Sequence, residues 1–178
     1  PPGYAAGARI HSISWGSPDN GYTTLARNID RFVYEHPDFL VVVAAGNDGK
    51  GGPRTTGNPA TGKNTLVVGA SLNAADALTE ACRGAAWQPS WRSGHAGSFA
   101  KEIGDAACAG TSAPPACDEE RVAHFSARGP VGADSRLAPQ VVAPGAPIFA
   151  AAQGGGSCVA EEGGVEVRVG TSQSAPLV

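Results

Sequence analysis

Methionine is absent from this chain, and so are clustered basic residues and any long apolar run. With Pro1-Pro2 at the start, the missing methionine predicts that the 178 residues are not an intact translation product. A signal peptide would lie in whatever precedes them, so its absence is uninformative. The longest apolar run, Phe39 to Ala45, is far too short to cross a bilayer, and no membrane span is expected. Thirteen Lys and Arg face 16 Asp and Glu, scattered singly, for a net charge of −3. That excludes the basic stripe of a nucleic-acid binder, so no nucleic-acid partner is expected. Cys82, Cys108, Cys117 and Cys158 contain no C-x-x-C pair, which argues against zinc and thioredoxin-type chemistry. His11, His36, His95 and His124 are isolated, none at i,i+4 from another ligand type, so no metal or other cofactor is expected. Asp118-Glu119-Glu120 reads as a solvated loop face rather than a calcium site.

What is present describes a globular chain. Hydrophobic residues make up 42% and charged residues 16%, enough apolar content for one domain with a real core. Twenty-five glycines and 14 prolines imply many turns around a modest set of regular elements. Three of the four cysteines fall in one Gly/Ala/Pro-rich stretch, as in a stapled surface loop. Such a loop belongs to an oxidising compartment, extracellular or along the secretory pathway. Four free thiols are the alternative, and three pairings stay open.

Ala8 to Ser14 reads as a short strand ending at Trp15-Gly16. Thr23 or Thr24 can cap a helix whose Leu25, Ile29, Phe32 and Val33 share one face, with Pro37 marking its end and His36 near its C-terminus, where the helix dipole favours it. Phe39 to Ala45 is continuous, rich in β-branched residues and broken by Gly46-Asn47-Asp48-Gly49, so it predicts a strand buried on both faces. Thr65 to Ala70 is a second of the same kind. Strand, helix, strand in that order predicts a parallel sheet of the α/β class. From about Leu72 to Arg121 periodicity dissolves around Trp87, Trp91 and Phe99, which predicts a cysteine-containing insertion in a loop. Regular signals return at Val122 to Phe125, Val141-Val142, Ile148 to Ala151 and Val165 to Val169, the last alternating cleanly and running into Gly170-Thr171-Ser172 at the start of a helix.

Two glycine-rich stretches invite a nucleotide reading, and neither survives. Gly57 to Asn64 nearly fits the phosphate-binding loop, but Asn64 stands where a magnesium-binding hydroxyl is needed. A strand also follows where one should precede. Gly46 to Gly52 has the wrong spacing for a dinucleotide fingerprint.

On position alone, Ser172 is as well explained by helix capping as by nucleophilic chemistry. The surrounding motif is more specific. Gly170-Thr171-Ser172-Gln173-Ser174-Ala175-Pro176 resembles the G-T-S-x-A-x-P nucleophile segment of the subtilisin-like serine peptidases, with Ser174 in a place usually held by Ala. The resemblance continues in family order: Ser12 to Gly16 resembles the strand that pairs with substrate, and Val41 to Asn47 the strand whose terminal Asn donates to the oxyanion. His124 to Pro130 and Val141 to Gly145 resemble two further family segments. Gly7 to Asn47 is most similar to the branch with an Ala-Arg-Ile-His…Ser-Trp-Gly run and β-rich domains after the catalytic one.

The resemblance implies an α/β, three-layer subtilisin-like fold with a mostly parallel central sheet, incomplete in this chain, with Asn47 ending one buried parallel strand and Ser172 opening the helix after another at the same carboxyl edge. Residues 1–178 would form a partial peptidase domain, with the cysteine-containing insertion at about 72–121. It implies a serine endopeptidase in which Ser172 attacks a peptide carbonyl, with the Asn47 amide and the Ser172 backbone N–H binding the oxyanion. Ser14, Trp15 and Gly16 on one side and Ala44, Ala45 and Gly46 on the other would clamp an extended peptide or protein substrate. The family's Asp segment and H-G-T-H segment match nothing here, so the catalytic Asp and His are expected on an upstream segment, and the chain alone is expected to be inactive. Gln140 stands before Val141 where the family usually has Asp. A non-catalytic subtilisin-fold subunit with a structural or binding role is the competing reading. A weaker one is a binding module that uses the cysteine-stapled insertion as its contact surface.

Overall fold

The computed structural model describes residues 2–73, 121–151 and 165–178. A short helix α1 (Pro2–Ala5) leads into strand β1 (Ile10–Ile13), helix α2 (Thr24–Glu35) and strand β2 (Leu40–Ala44). Strands β3 (Leu66–Leu72) and β4 (Val141–Ala146) follow, then β5 (Ile148–Ala151), β6 (Val165–Arg168), a four-residue helix α3 (Thr171–Ser174) and a closing 3-10 turn, Ala175–Leu177.

Strands β1-β2-β3-β4 pair in that order, all parallel, with Ile13 opposite Val43 and Ala44 opposite Val68. The continuous apolar run of β2 is explained by cover on both faces. Val41, Val43 and Ala45 pack with Ile13, Val67 and Val131 against Ile29 and Val33 of α2. Val42 instead packs with Val68, Ala143 and Ala175 on the opposite side. Alternation along one strand therefore separates two cores, giving helix, sheet, helix in three layers. Gly145 makes the second contact possible, because a Cβ there would run into Ser174 Oγ of α3 and Ala70 of β3. Gln140 closes the foot of the β3–β4 ladder: its N–H donates to Val67 O (3.1 Å), and its side-chain Oε1 accepts from Val67 N (2.8 Å).

Three expectations change. Leu25 does not share the buried face of α2; it is 39% exposed, and Ala26 and Asp30 are buried instead. The helix turns that way because the Asp30 carboxylate accepts from the backbone N–H groups of Lys63 and Asn64 and from the Tyr22 hydroxyl, each at 2.8 Å. Val122 makes an isolated bridge to Ser71 rather than opening a strand. The strand before Ser172 is not part of the parallel sheet: β6 pairs antiparallel with β5 in a separate hairpin. Thr23 is the N-cap of α2, accepting from Ala26 N (3.4 Å), and His36 ends it, stacked on Phe32 with Nδ1 2.8 Å from the Phe32 carbonyl. The four cysteines, Trp87, Trp91 and Phe99 lie outside the described residues.

The near-match to a phosphate-binding loop also resolves here. The N–H groups of Lys63 and Asn64 that would face a phosphate are already taken by Asp30. Arg136 holds the same loop as well, donating to the carbonyls of Thr61 and Gly62 at 2.8 Å each. Replacing Asp30 with Ala strands those N–H groups, and the expected cost is about 2–3 kcal/mol, read as a lowered midpoint in chemical denaturation.

Candidate active site

Parallel strands deliver the chain to one edge, and in sheets of this class the crevice beyond the carboxyl ends binds ligands. Strand β1 runs out into Ser14-Trp15-Gly16, and the neighbouring β2 into Ala45-Gly46-Asn47. The loop carrying Gly57 and Asn58 crosses between them. Ser17 N donates to Asn58 O (2.8 Å) and Gly57 N to Ala45 O (3.2 Å), so both strand exits are fastened to one floor. That floor has no room for a side chain at Gly57, whose Cβ would meet the Ser17 carbonyl.

Helix α3 arrives from elsewhere in the chain. Gly170, at φ +143°, turns the backbone in a way that other residues rarely adopt, and its N–H donates to Gly145 O (2.9 Å). The next residue makes the junction: Thr171 N donates to Asn47 Oδ1 (2.9 Å), Thr171 Oγ1 donates to the same oxygen (3.0 Å), and Gly46 N donates to Thr171 Oγ1 (3.2 Å). A backbone N–H can only donate, so the oxygen of the Asn47 amide must face Thr171, and its NH₂ group is turned the other way. Ser14 and Ser172 are tied reciprocally: Ser14 Oγ donates to Ser172 O (2.9 Å) and Ser172 Oγ donates to Ser14 O (3.2 Å). The N–H of Ser172 sits in the first turn of α3, where no intrahelical carbonyl is available to it.

The result is a cleft of about 230 Å³. Ser14, Trp15, Gly16, Ala44, Ala45, Gly46, Asn47 and Ser172, the residues singled out in the sequence, all line it. Ser17, Pro18, Asp48, Thr55, Gly57, Asn58 and Thr171 also line it, and sequence reading assigned none of them to the site. The close spacing of Gly57-Asn58-Pro59 signals a tight turn, but it does not say under which strands the turn passes. Asp48 reads locally as no more than a strand breaker. Chemically, the cleft offers a half-buried hydroxyl beside an amide NH₂ and a backbone N–H, the donor pattern that stabilises a developing oxyanion. No histidine lines it among the described residues.

Comparison with known proteins agrees with this architecture. The model of the Subtilase family matches residues 3–178. Two serine protease/ABC transporter B family proteins of Dictyostelium discoideum are each 30% identical to the chain, tagD over 86% of it and tagB over 99%. The self-cleaved protease domain of PatA superposes over 99% of the chain with a TM-score of 0.55 at 22% identity, a likeness of fold. The chain spans 10% and 11% of the two curated relatives and 44% of the PatA chain. It belongs to the subtilase family and carries part of the three-layer fold of the subtilisin-like proteases.

Proposed function

We propose that this chain supplies the nucleophile and the oxyanion-binding half of a serine endopeptidase. The observation that carries the reading is the junction of Asn47 with Thr171 and Ser172. Two segments 124 positions apart are locked by hydrogen bonds of 2.9 and 3.0 Å, with an amide NH₂ and a serine hydroxyl in the same cleft. Ser172 Oγ attacks the carbonyl of an extended peptide held between Ser14–Gly16 and Ala44–Gly46. The charge that builds on the carbonyl oxygen is met by Asn47 Nδ2 and Ser172 N. Collapse of the tetrahedral species expels the amine, which takes up the proton lost by Ser172, and leaves an acyl group on Ser172, which water then removes.

A base must take the Ser172 proton, and its natural source is a segment N-terminal to these residues bearing the family's Asp and His. Without a base to draw off its proton the hydroxyl is a poor nucleophile, and here it donates to the Ser14 carbonyl. A fluorophosphonate probe is therefore expected to label Ser172 in the full-length protein and to leave the isolated chain largely unlabelled. Equal rates in both overturn the division of the triad, and labelling of neither overturns the peptidase reading in favour of a non-catalytic subunit. Replacing Asn47 with Ala in the full-length protein is expected to lower turnover by about 10²–10³ with a much smaller change in KM.

The compartment follows from the cysteines. We place the protein outside the cytosol, with at least one disulfide among Cys82, Cys108 and Cys117. Alkylation without reduction, read by mass spectrometry, is expected to spare at least two of these thiols; modification of all three contradicts the assignment.

A further inference from the structure

Gln173 follows Ser172 at a position that the nucleophile motif leaves open, so the family resemblance assigns it no role. Its side-chain oxygen Oε1 is buried and accepts no hydrogen bond among the described residues. A buried acceptor without a donor costs free energy, and in a native fold it calls for a reason. The neighbourhood supplies one. A Cβ on Gly170 would stand 3.0 Å from Gln173 Oε1, 3.3 Å from Asn47 Nδ2 and 3.6 Å from Asn47 Oδ1. The two side-chain amides therefore approach the same spot on the backbone, and the bare Cα of Gly170 is what leaves them room.

The Asn47 amide is satisfied at one end only. Its oxygen accepts twice from Thr171, which uses both lone pairs, whereas Nδ2 donates to nothing among the described residues. An amide NH₂ carries two hydrogens, and an oxyanion takes one of them. The second then needs an acceptor in a site that substrate has closed to water. Gln173 Oε1 is an unused acceptor beside an unused donor.

We propose that Gln173 is a positioning residue for the oxyanion site: its Oε1 accepts the second N–H of Asn47 Nδ2 while the first meets the charge that develops on the substrate carbonyl. The inference rests on the peptidase reading, because it takes Asn47 as an oxyanion donor. Thr171 holds the amide by its oxygen, which still permits the plane to tilt. A bond at the nitrogen end fixes the tilt and adds no charge to the site. The neutral substrate carbonyl draws less on Asn47 than the oxyanion does, so the benefit falls on kcat rather than KM.

The test is a double-mutant cycle in the full-length protein. Gln173→Met keeps the length of the side chain and removes the carbonyl acceptor; Asn47→Ala removes the group it is meant to position. With Asn47 present, Gln173→Met is expected to lower kcat about three- to tenfold, the weight of one hydrogen bond, with KM near that of the parent. In the Asn47→Ala background the same change is expected to leave kcat where it was. Gln173→Leu repeats the cycle with a second side chain that lacks the acceptor. Inhibition by a peptidyl aldehyde is expected to weaken in step with kcat. A loss of equal size in both backgrounds marks Gln173 as a packing residue and overturns the proposal, as does parental kcat in Gln173→Met and Gln173→Leu. Both results leave the peptidase reading in place. Failure to cleave any peptide, with Ser172 also unreactive to fluorophosphonate, overturns both.

Discussion

Everything at the candidate site depends on one shared oxygen. Asn47 Oδ1 accepts from both the N–H and the hydroxyl of Thr171, and the same hydroxyl accepts from Gly46 N. These bonds fasten the end of β2 to the start of α3, and they orient the amide so that its donor end is free for other work. A half-satisfied junction here would leave buried polar groups unpaired, which costs more than the net value of the bonds themselves. Thr171 is 1% exposed, so water cannot replace Asn47 as its partner.

The remaining structure keeps those two segments within reach of each other. Parallel pairing of β1 and β2 places Ser14 and Asn47 at one edge, and packing of Ala175 against Val42, Val68 and Ala143 seats α3 on the far face of the same sheet. The floor loop is restrained separately: Asp30 binds its N–H groups, Arg136 binds its carbonyls, and Asn58 O and Gly57 N tie it to the strand exits. An acid bound to the N–H groups and a base bound to the carbonyls of a loop of small residues fix the floor without bulk, which leaves the cleft open above it.

Much of the frame is legible in the sequence because it follows from local periodicity. The unbroken run from Phe39 to Ala45 requires cover on two faces, and the structure supplies two cores. The face of α2 is read less well: hydrophobic spacing places Leu25 inward, but the helix is turned by Asp30, a buried acid whose partners lie 33 and 34 residues away. The same partners hide the meaning of Gly57 to Asn64, where spacing suggests phosphate and tertiary contact supplies a carboxylate. The alternation of Val165 to Val169 announces a strand without naming its neighbour, and that neighbour is β5 rather than the main sheet. Ser172 and Asn47 stand out through their resemblance to a family motif and not through any local pattern. Thr171, which joins them, is within that motif, yet only the structure assigns it its hydrogen bonds.

The central claim is that Asn47 Nδ2 and Ser172 N converge on one oxygen atom. A crystal structure of the full-length protein treated with a peptidyl aldehyde measures this most directly. The account predicts a tetrahedral adduct on Ser172 Oγ whose oxygen lies about 2.7–3.1 Å from both nitrogens. An adduct oxygen that points away from Asn47, or an aldehyde held in the cleft without a bond to Ser172, would contradict it.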